Sequence, residues 1–184
     1  MGFFLYLFDN IITNVRKKEF NMNVLMINGS PRVGSNTSIA LDTVKQILID
    51  NNIEVNEFDV IGKDIPGCRA CGACYKLGKC AIDDCVNELA KLFEKADGVI
   101  VASPVYYASA NGTLISLLDR LFYSTNFDKR FKVGASIVIA RRGGIETMKN
   151  LAINMVFMLK AIDLAKKEYG IPEKISGSFT NFIR

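Results

Sequence analysis

From Met22 onward, apolar runs of strand length alternate with stretches of helical periodicity. Residues 23–27 form a short apolar run that stops at Asn28-Gly29-Ser30-Pro31, the pattern of a buried strand ended by a turn. Ser35, Asn36 and Thr37 then offer helix caps, and Ile39, Ala40, Val44, Ile47 and Leu48 follow at helical spacing. A second strand is predicted over 53–60, with Val55, Phe58 and Val60 apolar. Residues 62–84 read as a loop dense in Gly, Cys and Lys. Asp84 is placed to cap a helix reaching about Ala96, with Val86, Leu89, Leu92 and Phe93 on one face.

The run Gly98-Val99-Ile100-Val101-Ala102 is the most apolar strand pattern, and Ser103-Pro104 stops it. A helix over about 112–123 sets Leu114, Leu117, Leu118 and Leu121 inward. A strand over 132–140 ends at Arg141-Arg142-Gly143-Gly144, and a long helix over about 146–169 carries Met148, Leu151, Met155, Leu159 and Ile162. Gly170 and Pro172 lie where a helix end expects them, and the tail beyond Glu173 is polar. Strands alternating with helices predict an α/β fold with a parallel sheet covered on both faces.

Composition narrows the chemistry. The chain has 184 residues, 49% of them apolar and 23% charged, which suits one globular domain. The net charge of +4 is mild, and the basic cluster Arg16-Lys17-Lys18 is too short to indicate a nucleic-acid partner. Histidine is absent, so any metal must be held by thiolate or oxygen. Tryptophan is absent too, leaving Tyr and Phe for stacking on a flat ligand.

Residues 1–21 read as an N-terminal extension preceding a domain over 22–184. The apolar stretch Gly2-Phe3-Phe4-Leu5-Tyr6-Leu7-Phe8 is too short to span a membrane, and it lacks the charged flank and cleavage site of a signal peptide. The alternative is a helix that lies on a membrane surface or a partner. A cytoplasmic protein without a membrane span is expected.

Three loops fall at predicted strand ends, where ligands of such sheets bind. The first, 28–37, leads into a helix N-terminus with unpaired backbone N–H groups. Ser30, Arg32, Ser35, Asn36 and Thr37 add donors that suit a phosphate monoester, although neither a Walker loop nor G-x-G-x-x-G is present. A plain turn with a helix cap would use the same residue types. The second loop carries Pro104, Val105, Tyr106, Tyr107 and Ala108, with two rings able to stack on a flat cofactor. The third, Arg141, Arg142 and Gly143, would place cations by an electron-rich ring. Surface loops with ordinary solvated side chains are the bland reading of both.

Four of the five cysteines, Cys68, Cys71, Cys74 and Cys80, lie within thirteen residues. A C-x2-C-x2-C run with a fourth thiol close behind is a sign of an iron–sulfur cluster, and Gly67, Gly72 and Gly78 ease the wrapping. Zinc remains an alternative, although structural zinc sites pair two knuckles across a longer gap. A metal-free redox loop is a third reading. Cys85 is read as a spare thiol.

Together, Ile27-Asn28-Gly29-Ser30-Pro31-Arg32, Gly34-Ser35-Asn36-Thr37, Ser103-Pro104-Val105-Tyr106-Tyr107, Leu118-Asp119-Arg120 and Arg141-Arg142-Gly143-Gly144 resemble the NADPH-dependent FMN reductase group of flavodoxin-like proteins. The stretch from Pro66 to Cys74, with Gly78-Lys79-Cys80 and Ile82-Asp83-Asp84, is similar to the cluster loop of the iron–sulfur flavoproteins. The resemblance covers roughly 22–173. It implies a flavodoxin-like, doubly wound parallel sheet, FMN phosphate on the first loop, and the flavin ring framed by the other two. It also implies a [4Fe-4S] cluster on the four cysteines, held in the loop over 66–85.

One departure stands out: Gly144 leads straight into Ile145-Glu146-Thr147-Met148, where the family has a further segment with a fifth strand. A four-stranded sheet is expected, its last edge free or left to a partner or to the N-terminal extension. The leading expectation is an FMN-dependent oxidoreductase, an iron–sulfur flavoprotein moving electrons between a ferredoxin-like or NAD(P)H donor and a small-molecule acceptor, and a homo-oligomer. The rivals are an NAD(P)H-dependent FMN or quinone reductase without a cluster, and a thiolate metal-binding module without redox activity.

Overall fold

Four strands form one parallel sheet among the residues described by the computed structural model, 22–140 and 144–173. They are β1 (Met22–Asn28), β2 (Ile53–Asp59), β3 (Gly98–Pro104) and β4 (Val133–Ile139), in the order β2-β1-β3-β4. The helices are α1 (Asn36–Asp50), the single turn α2 (Cys74–Leu77), α3 (Cys85–Lys95), α4 (Gly112–Ser124) and α5 (Ile145–Tyr169). This is the expected flavodoxin-like architecture. The N-terminal extension and the Arg141-Arg142-Gly143 loop lie outside the described residues.

Alternation within the strands decides which face each side chain joins. Met22, Val24 and Met26 of β1 point to one face and Leu25 and Ile27 to the other, and all five are buried. A strand buried on both sides has to read as an unbroken apolar run. The first face, joined by Ile100 and Ala102 of β3, packs against Leu41, Val44 and Leu48 of α1 and Ala152, Met155 and Leu159 of α5. The second packs against Val86, Leu89 and Phe93 of α3 and Leu114, Leu117 and Leu121 of α4. Each Val, Leu, Ile, Phe or Met side chain removed from water in this way contributes about 2 kcal/mol of transfer free energy. Gly98 lets the layers pack closely here, because a Cβ would stand 3.1 Å from the Val133 carbonyl and would push the Met155 methyl aside.

The chain runs from β1 through α1 to β2 on one side, then crosses β1 through α3 to reach β3. The loops after β1 and β3 therefore diverge and leave a crevice at the switch point of the sheet. β4 is the last strand among the described residues, with Val133, Ala135 and Ile139 turned to the core and Val138 64% exposed on the opposite face. Gly144 leads directly into α5, and among the described residues no fifth strand follows β4, so the sheet has the four strands the sequence predicts. The loop over 62–84 contains one feature that periodicity could not show, the turn α2, closed by Gly78 at φ 68°. Among the described residues no helix is long and apolar enough to cross a membrane.

Candidate functional site

The first predicted loop is organised by its own side chains. Asn28, at the end of β1, accepts the Ser30 N–H at Oδ1 (3.0 Å) and donates from Nδ2 to Asp59 Oδ1 (2.7 Å) and Ser38 Oγ (3.2 Å). Ser30 Oγ accepts the Arg32 N–H at 3.2 Å. Ser35 caps α1 by accepting the Ser38 N–H at 3.2 Å. Gly29 approaches β3 so closely that its N–H reaches Ala102 O at 2.7 Å, and a Cβ would lie 2.5 Å from Leu114 Cδ2 of α4. Gly34 turns the loop at φ 61°.

Ser30, Arg32, Ser35, Asn36 and Thr37 line a cavity of about 690 Å³ together with Pro104, Val105 and Tyr106. Ile139 and Ala140 at the end of β4 supply its far wall, two residues the sequence reading did not pick. The helix N-terminus presents its amides and positive dipole end to this cavity, which suits a phosphate. Tyr106 and Ser109 exchange backbone hydrogen bonds of 2.8 and 3.0 Å across a tight turn. Tyr107 sits in that turn at φ 57° with its ring fully exposed, so it and Ala108 stand outside the cavity. Arg141, Arg142 and Gly143 lie outside the described residues.

The four cysteines come together around a second cavity of about 320 Å³, which Arg69, Arg120, Tyr123 and Ser124 also line. Cys68 and Cys71 are exposed, Cys74 and Cys80 are half-buried, and all are free thiols. Among the described residues no three His, Cys, Asp or Glu side chains converge on the position of a single metal ion. Ser124 carries a buried hydroxyl without a hydrogen-bond partner. Cys85 opens α3, stands apart from this cavity, and has its thiol pushed up by burial and by the Asp84 charge.

Behind the cysteines lies Arg120, whose side chain is fully buried. It makes a bidentate pair with Asp84, 2.7 Å on each arm, and also donates to Pro66 O, Ile82 O and Cys80 Sγ. Burial alone would raise the Asp84 carboxyl, but the Arg120 hydrogen bonds, the Val86 N–H and the guanidinium charge outweigh it and hold the group below its usual range. The same pairing raises Arg120. Asn87 accepts the Cys80 N–H at 3.1 Å and donates to Cys80 O and Ile82 O at 3.2 Å. Helix α4 lies next to both loops: Leu114 packs against Gly29 of the first, and Arg120, six residues on and about 9 Å along the helix, backs the second.

The description of the NADPH-dependent FMN reductases matches residues 22–176, which include both cavities and every described strand. The chain belongs to that family. It is an FMN-binding, flavin-dependent oxidoreductase. An iron–sulfur flavoprotein of Methanocaldococcus jannaschii is 35% identical over 129 residues, 68% of this chain and 67% of the relative. One from Archaeoglobus fulgidus is 33% identical over 151 residues, 82% of this chain and 68% of the relative. Among solved structures, RosB with bound 8-demethyl-8-formylriboflavin-5'-phosphate superposes with a TM-score of 0.56 at 13% identity, covering 89% of this chain and 92% of that one. The last likeness is one of fold.

Proposed function

We propose that this FMN reductase family member is an iron–sulfur flavoprotein, with FMN in the larger cavity and a [4Fe-4S] cluster on Cys68, Cys71, Cys74 and Cys80. It would pass electrons from a ferredoxin-like or NAD(P)H donor to a small-molecule acceptor. The observation that carries the reading is that four free thiols line one cavity, backed by a buried guanidinium. A single zinc ion would need the sulfurs to close to roughly 3.8 Å of one another. A cluster accepts a wider ring of thiolates, and its negative charge suits the cation behind it. The unpartnered Ser124 hydroxyl is a further polar group awaiting a partner at this wall. Relatives named iron–sulfur flavoproteins support the assignment.

When bound, FMN exchanges a hydride or single electrons and the cluster moves one electron at a time. The chain's own part is to hold and orient. The amides of the Ser35–Asn36–Thr37 turn, the Ser30 hydroxyl and Arg32 would bind the phosphate, while Pro104, Val105 and Tyr106 would set one side of the ring. Arg141, Arg142 and Gly143 are proposed for the pyrimidine end.

Anaerobic purification followed by iron, sulfide and FMN analysis tests this directly. A brown protein with both cofactors is expected, and Cys71→Ser should lose iron while keeping FMN. A yellow protein free of iron would instead favour an NAD(P)H-dependent reductase without a cluster, and a colourless zinc protein would refute both redox readings.

A further inference from the structure

The guanidinium of Arg120 has five N–H donors in a fixed fork. All five find acceptors: Nη1 takes Pro66 O at 3.2 Å and Asp84 Oδ2 at 2.7 Å, Nη2 takes Ile82 O at 3.2 Å and Asp84 Oδ1 at 2.7 Å, and Nε takes Cys80 Sγ at 3.4 Å. Pro66 lies two residues before the first cysteine of the loop, and Ile82 lies two residues after the last. One side chain, anchored on the rigid helix α4, therefore ties both ends of the cysteine loop to each other and touches one of its sulfurs.

We propose that Arg120 is a positioning residue for the cluster, which fixes Cys80 as the fourth thiolate and tunes the electron affinity of the site through its Nε–H···S hydrogen bond. This rests on the iron–sulfur reading above. Cys80 needs such a device more than its neighbours do. Cys68, Cys71 and Cys74 are spaced within seven residues and set one another's positions, whereas Cys80 arrives after five intervening residues that include the turn α2. Asn87 holds the Cys80 backbone from α3, through both its N–H and its carbonyl. That leaves the sulfur to be aimed, and Arg120 is the group that contacts it.

The electronic consequence follows from charge. Adding an electron makes the thiolate-bound site more negative. An N–H dipole and a buried cation next to one sulfur favour that state, so their removal shifts the potential downward. The Asp84 carboxylate compensates the net charge of Arg120 but lies on the opposite side of the guanidinium from Nε, so the donor still faces the sulfur with its positive end. Lysine cannot substitute. It has three donors on a flexible stem and lacks the planar fork that serves Asp84, two carbonyls and a sulfur together.

The test uses the full chain prepared anaerobically, with Arg120→Lys and the double variant Arg120→Met with Asp84→Asn. The double variant removes the ion pair as a unit, leaves no unpaired buried charge, and keeps a side chain able to cap α3, so it is expected to fold where a single change at Arg120 does not. Readouts are iron and sulfide per chain, the cluster's midpoint potential, and its electron paramagnetic resonance spectrum, with FMN content as an internal control. Both variants are expected to keep FMN, to lose iron from most chains, and to show a lower potential and an altered spectrum in the fraction that retains a cluster. A purely structural role for Arg120 would lower the melting temperature and leave the potential and spectrum of the surviving cluster unmoved. Variants with full iron and wild-type potential and spectrum would overturn the inference alone. A wild-type chain without iron and sulfide would overturn the iron–sulfur reading and this inference with it.

Discussion

The phosphate loop and the cysteine loop sit against the same helix and are built in opposite ways. The proposed phosphate loop is short, spans the gap from β1 to α1, and is held mainly by nearby groups, Asn28 to Ser30, Asn28 to Ser38 and Ser35 to Ser38, with Asp59 of β2 and the Ala102 carbonyl of β3 tying it to the sheet. The groups proposed to bind the phosphate are backbone amides whose directions are set by the helix itself. The cysteine loop is long, with a single helical turn inside it, and its order comes from two helix side chains: Asn87 at the start of α3, just after the loop, and Arg120 of α4, whose acceptors lie 36 to 54 residues away in the chain. A site made from local hydrogen bonds tolerates the loss of one of them. A site gathered by a buried ion pair concentrates its stability in that pair.

Arg120→Met should therefore produce the largest effect. It leaves the Asp84 carboxylate unpaired beside a buried wall, costing about 3 kcal/mol, the low end for breaking a buried pair because Asp84 keeps 20% of its side chain exposed. The expected readout is a lower urea midpoint with FMN still bound. Loss of FMN in parallel with iron would show that the two loops are not independent.

Gly29→Ala attacks the other side. Its Cβ would meet Leu114 Cδ2 at 2.5 Å and the Ala102 carbonyl at 2.8 Å, the latter backbone that cannot swing aside. A destabilisation of about 2 kcal/mol is expected from overpacking, with a weaker FMN affinity by titration. Iron content should survive, because Leu114 lies about two helical turns from Arg120. A variant that lost iron and kept FMN would break the comparison.

How much of this could be read from sequence follows from the same contrast. Periodicity located every strand and long helix to within a residue or two, because each buries an apolar face and burial imposes its spacing. The phosphate loop was legible because its signals are local: Asn, Gly and Ser after a strand, caps before a helix. Tyr106 and Tyr107 are adjacent and chemically identical, so only the turn at 106–109 could show that Tyr106 lines the cavity while Tyr107 faces water. Arg120 was visible only as part of the Leu118-Asp119-Arg120 match. Its acceptors lie 36 to 54 residues away in the chain, and no spacing rule connects them. The walls Ile139 and Ala140 were missed for a similar reason, since strand order brings them to the cavity.

Acid should separate the loops in a graded way. The folded Asp84 carboxyl lies below its ordinary value of 3.8, so the unfolded chain takes up the proton first as pH falls. The stability it contributes is fully present above about pH 3.8 and is lost as pH drops through the lower folded value. Urea unfolding of metal-free protein should show wild type more stable than Asp84→Asn at pH 7, with the gap closing at low pH. A gap independent of pH would mean that the charge on Asp84 does not hold the cysteine loop.

The smallest change probes the phosphate loop's redundancy. Ser35 Oγ accepts the Ser38 N–H and stands 3.2 Å from Ser38 Oγ, which in turn accepts from Asn28. Ser35→Ala removes one helix cap and one link of that chain, leaving Asn28 bound to Asp59 and Ser30. The cost in stability should be about 1 kcal/mol, and Ser35→Gly should cost only a few tenths of that unit. FMN affinity should fall further for Ala than the loss of stability alone requires, because the cap orders the amides that would face the phosphate. Iron content and the cluster's potential should stay at wild-type values, since no group linked to Ser35 reaches the cysteine loop. If instead Ser35→Ala shifted the potential, the phosphate loop would be coupled to the cysteines along α4, and the picture of two independently built sites on one helix would have to be given up.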